Sequence, residues 1–95
     1  MRTVRTIEAN LVLPSNDHCK SRPIDTYVRY YFGWTVKGRR EIVGSFIYGP
    51  AQDAPGMYVV GVRDQRLFAH DGVMQMLLHY DVDRHKLIDI ACFGR

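Results

Sequence analysis

Ninety-five residues, 46% of them hydrophobic and 12% aromatic against 24% charged, suffice for one small domain and carry too many apolar groups for a disordered tail. The expected organisation is a single domain over residues 1–95. A net charge of +3 falls short of the basic stripe of a dedicated nucleic-acid binder, and no window holds the ~18 apolar residues of a membrane-spanning helix.

The charge is uneven along the chain. Residues 1–40 carry eight basic and three acidic groups, a balance of +5, and residues 41–95 carry five and seven, a balance of −2. The two halves therefore attract one another, within a chain or between chains. Ten of the thirteen basic residues are Arg, the side chain that forks onto carboxylates and stacks on rings. Cys19 and Cys92 lie far apart and form no CxxC pair, which excludes a zinc knuckle and a CxxC redox motif. The N-terminal apolar run Leu11-Val12-Leu13 is too short for the core of a signal peptide. A cytoplasmic setting with two free thiols is the expectation, and a bridge between them the alternative.

Arg5 to Leu13 places Ile7, Ala9, Leu11 and Leu13 on one side of a strand, while Val4, Ile7 and Leu11 also fit a helix; a strand is preferred. Pro14 to Pro23 reads as an irregular connection. Thr26 to Val36 alternates, with Val28, Tyr30, Phe32, Trp34 and Val36 on one face and Tyr27, Arg29, Tyr31, Gly33 and Thr35 on the other, which predicts a long strand. Lys37-Gly38-Arg39-Arg40 is the tight connection, and Glu41 to Gly49 the returning strand. A loop of two residues pairs Trp34 with Glu41, one of three with Ile42, and one of four with Val43. Gly44 marks a bulge, or a place where a facing ring lies over the backbone.

Pro50 to Gly56, with two prolines and a glycine, is a surface loop. Met57 to Val62 follows as a short buried strand, and Arg63 to His70 suits a helical turn or two. Val73 to Tyr80 and Leu87 to Phe93 form a second hairpin whose turn ends with His85 in the left-handed region, so that Tyr80 faces Leu87, Leu78 faces Asp89 and Met76 faces Ala91. The expected class is α+β: a mainly antiparallel sheet of five or six strands with one or two short helices, and all-β as the alternative.

No family motif is matched. His18, Cys19, His70, Asp71, His79, Asp81 and His85 include no HxH, HExxH or CxxC spacing, and neither a metal centre nor a cofactor is expected. Cys19 with a distant His70 or His79 would need a third orienting group that the sequence does not identify, so no catalytic residue is assigned. The expected function is non-enzymatic: an interaction module that forms homo-oligomers, dimers first, through a Tyr- and Arg-rich strand surface of Tyr27, Arg29, Tyr31, Arg39 and Arg40. One alternative is a small-molecule pocket lined by Trp34, Phe46, Tyr48, Met74, Met76 and His79. Another is a single-stranded nucleic-acid surface on the same aromatic and basic run, although Arg40 to Ser45 lacks the early glycine and both ring positions of the RNA-recognition consensus.

Overall fold

The computed structural model describes residues 2–16, 19–49, 53–67 and 74–94. In chain order it has a helix α1 (Arg2–Asn10), a two-residue pair β1 (Ser15–Asn16) and β2 (Cys19–Lys20), and the strands β3 (Val28–Val36), β4 (Arg39–Tyr48), β5 (Gly56–Val59), β6 (Met74–Asp81) and β7 (Lys86–Gly94). Single 3-10 turns lie at Ile24–Thr26 and Gln65–Leu67. The long strands form one five-stranded sheet in the order β5-β3-β4-β6-β7. Every pairing in it is antiparallel except that of β5 with β3. The fold is therefore α+β with a small helical part, as the sequence predicts. Residues 50–52 of the expected loop and 68–70 of the expected helical segment lie outside the described residues, as do His18, Asp71 and Val73.

The N-terminal segment is a helix, not the preferred strand. Val4 and Ile7, three residues apart, share a helical face and are both buried. Thr6 Oγ1 donates to the Arg2 carbonyl at 3.1 Å, and the Asn10 side-chain amide donates to the Thr6 carbonyl at 3.0 Å. The helix lies on one face of the sheet, where Val4 and Ile7 join Tyr27, Tyr31, Ile42, Phe46, Met76, Leu78 and Tyr80 in the main core. Each fully buried large side chain there contributes about 1.5–3 kcal/mol of transfer free energy.

The β3–β4 turn is the two-residue alternative. Lys37 and Gly38 both have positive φ, 52° and 76°, the requirement of a type I′ turn that matches the strand twist. Trp34 accordingly faces Glu41, and Tyr31 faces Gly44. In the second hairpin His85 is left-handed, with φ 52°, and Tyr80 faces Leu87 as expected. Beyond that point Leu78 faces Ile90 and Met76 faces Cys92, each one residue further than the alternation suggests. A bulge between His79 and Tyr80 takes up the extra residue, Ile88.

The opposite face of the sheet is half covered. Val28, Tyr30, Ile47 and Leu67 form a second cluster, with Phe32, Tyr58 and Val60 against it. The Leu67 carbonyl holds the 3-10 turn down by accepting from Ser45 Oγ at 3.0 Å and from Gln75 Nε2 at 2.8 Å. Arg66 bridges Asp53 and Asp64 at 3.0 and 2.7 Å, and its hydrogen bonds hold the Asp64 carboxyl at about 2, below the ordinary 3.8. A depressed carboxyl stabilises the fold above its ordinary value and loses that contribution as pH falls through the shifted one. Acidification from about pH 4 to pH 2 should therefore release the Gln65–Leu67 turn before the β3–β4 hairpin opens. Amide exchange at Leu67, followed against that of Phe32, measures it.

Candidate functional site

The strand surface expected to meet a partner is part of the core. Tyr27, Arg29 and Tyr31 lie on the side of β3 that α1 covers, and all three are buried. The Arg29 guanidinium donates from Nε to Glu8 Oε2 at 2.9 Å and from Nη1 to the carbonyls of Ile24 and Tyr27 at 2.9 and 3.2 Å. The Tyr31 hydroxyl donates to the same Glu8 oxygen at 2.7 Å. These groups are polar by composition yet internal in place, because a carboxylate from the helix meets both. Arg39 and Arg40 are exposed at the hairpin end, paired with Glu41 and Asp83 respectively.

The six residues expected to line one pocket are split between the two faces of the sheet. The register Trp34–Glu41 and Val43–His79 puts Trp34 and His79 on the face away from α1. Phe46 and Met76 are fully buried on the α1 side, and alternation along β4 and β6 carries Tyr48 and Met74 to that same side. Phe46 packs against the rings of Tyr27 and Tyr31, with centroids 6.0 and 5.8 Å apart. The Arg22 guanidinium lies over the Tyr48 ring at 4.0 Å. The backbone of the sheet divides the volume these residues were expected to enclose.

What remains open is the uncovered half of the face away from α1. Trp34 is 42% exposed there and Phe93 51%, with Leu77 and Ala91 between them by register. The polar groups on this surface are ordered. The Trp34 indole donates to Glu41 Oε1 at 3.1 Å, and Arg39 Nε donates to Glu41 Oε2 at 2.8 Å. Burial raises the Glu41 carboxyl, but these two donors outweigh it and hold the group below the usual carboxylate range. His79 Nδ1 lies 2.9 Å from Asp89 Oδ1. Among the described residues no three His, Cys, Asp or Glu side chains gather to hold a metal ion.

This surface runs to β7, the last strand in the sheet order. β7 is nine residues long and contains no proline. Among the described residues no backbone hydrogen bond reaches it from outside the β6 ladder. Ile88, displaced by the bulge, is 40% exposed beside it. The opposite edge is different in kind: β5 has four residues and starts at Gly56. Comparison with family models, with curated proteins and with solved structures finds no match.

Neither Ile88 nor Phe93 stands out in the sequence. Their common signal is a long strand with a single charge between Leu87 and Phe93, Asp89. Cys92 on the same strand is disulfide-bonded, against the expectation of two free thiols; the chain holds one other cysteine, Cys19.

Proposed function

We propose that the protein is a self-associating interaction module, and that its contact surface is the outer edge of β7 with the adjoining Trp34–Phe93 face. The edge of β7, which among the described residues no backbone hydrogen bond reaches from outside the β6 ladder, carries this reading. A long strand without proline presents a row of free N–H and C=O groups, and an identical strand is a geometrically matched partner for it. Antiparallel pairing of a strand with its own copy satisfies two-fold symmetry directly. It would join the two five-stranded sheets into one continuous sheet and bury Ile88 and Phe93 near the seam. The short β5 edge offers no comparable template.

The proposal keeps the dimer expected from the sequence and moves its surface from Tyr27, Arg29 and Tyr31 to β7. A nucleic-acid surface has less support, since the rings of Tyr27, Tyr30 and Tyr31 are buried and offer no stacking platform. No described helix is long and apolar enough to cross a membrane. A bonded Cys92 speaks for an oxidising compartment in place of the cytoplasm expected from the sequence.

Sedimentation equilibrium tests the assembly. The unaltered chain should be dimeric at micromolar concentration. The double variant Ile88→Lys with Phe93→Lys should weaken it by about tenfold or more, a loss of roughly 1.4 kcal/mol or greater. Both positions are exposed in the single chain, so the circular dichroism should not change. A monomer at high micromolar concentration would refute the assignment, and so would an undiminished dimer in the double variant.

A further inference from the structure

A cleft of about 430 Å³ opens between α1 and the end of the β6–β7 hairpin, on the side of the sheet away from the Trp34–Phe93 face. Ile7 and Leu11 from the helical segment and Leu87 from β7 form apolar walls; Asn10, Tyr80 and His85 supply polar groups. The volume and the mix of many apolar atoms with few polar ones are those of a small-molecule site.

Tyr80 gives this cleft a polar anchor. The residue is 8% exposed and belongs to the main core, yet its hydroxyl has no hydrogen-bond partner among the described residues. No partnerless side-chain oxygen among the described residues is sealed from solvent, so the hydroxyl of Tyr80, a residue that lines the cleft, is accessible. Open to water, this hydroxyl carries no desolvation cost, and it is a donor and an acceptor for any polar group that enters the cleft. Asn10 adds capacity at the rim. One of its amide hydrogens is used on the Thr6 carbonyl at 3.0 Å, and its oxygen remains an acceptor. Asn10 is also the last residue of α1, where the helix dipole presents its negative end and disfavours an anion.

We propose that this cleft binds a small uncharged molecule with an apolar body and one carbonyl or hydroxyl group, its polar group hydrogen-bonded to Tyr80 and its body against Ile7, Leu11 and Leu87. The site is independent of the dimer surface. Tyr80 anchors the ligand, and His85, held at φ 52° in the turn, stands at the edge of the cleft.

Nile red, uncharged, flat and carrying one carbonyl, serves as the probe. Its fluorescence should rise on binding with a stoichiometry of one per chain. Tyr80→Phe should weaken binding about fivefold, the effect of one hydrogen bond, and Thr6→Phe should abolish it by placing a ring over the cleft from an exposed position of α1. Ile88→Lys with Phe93→Lys should leave it unchanged. Thermal melts confirm that each variant is folded. No fluorescence response, equal affinity in Tyr80→Phe and the unaltered chain, or loss of binding in the β7 variant would each overturn the proposal. The last outcome would place the dye on the sheet face instead.

Discussion

Replacing Glu8 by alanine should cost about 3–5 kcal/mol, the range found when one partner of a buried ion pair is removed. The Arg29 and Glu8 side chains are 10% and 16% exposed, too little for water to take over. Without the carboxylate, Arg29 would keep only the carbonyls of Ile24 and Tyr27, and the Tyr31 hydroxyl would lose its acceptor. Burial and the adjacent Glu8 carboxylate push the Tyr31 phenol far above its ordinary value, so it remains a donor at every pH at which the protein is folded. A chain of this length has roughly 5–14 kcal/mol of total stability, and urea denaturation of Glu8→Ala should show a large part of it gone. Glu8→Gln retains one acceptor oxygen and should lose less. A change below about 1 kcal/mol in Glu8→Ala would mean that Arg29 reaches solvent and that the network under the helix is not closed.

Gly44→Ala should be the second severe change, about 2–3 kcal/mol, at the upper end of ordinary overpacking. A Cβ at Gly44 would lie 2.6 Å from Leu78 Cδ2 and 2.8 Å from Tyr31 Cε1. Both neighbours are fully buried, and the Tyr31 ring is tethered through its hydroxyl to Glu8, so neither has room to withdraw. Gly33→Ala is the matched control. Its Cβ would meet Ile42 Cδ1 at 3.7 Å and the Glu41 carbonyl at 3.8 Å, ordinary contacts, and the change should stay within about 0.5 kcal/mol. Equal thermal midpoints for the two variants would show that the Tyr31 ring does not lie over Gly44.

The middle of the sheet was legible because its signals are local. Alternation from Val28 to Val36 and a Lys37-Gly38 turn specify a hairpin without help from the rest of the chain, and Gly44 opposite a ring follows once the register is known. The helix was not legible, because nine residues with Val4 and Ile7 three apart and Ile7, Ala9 and Leu11 alternating satisfy both periods; packing on the sheet decides between them. The face of β3 that meets α1 is not legible in the sequence for a related reason. Arg29 and Tyr31 look solvent-facing until Glu8, 21 and 23 residues away, is placed against them. The extra residue in β7 leaves the hydrophobic pattern intact and shifts only the pairing, so the exposure of Ile88 emerges from three-dimensional structure alone. The cleft under the helix was likewise hidden, since Asn10, Tyr80 and His85 come from both ends of the chain.

The parallel pairing of β5 with β3 bears on how the chain reaches this state. The two hairpins close over short distances and can form independently, but β5 attaches to the far side of β3 and has nothing to add to until the first hairpin exists. The sheet becomes continuous only when β4 meets β6, across an intervening stretch of more than twenty residues. Such loop closures must be completed before the contacts they permit give any return. Refolding should therefore run well below the speed of helical bundles of similar size, with β5 protected from exchange later than β3 and β4.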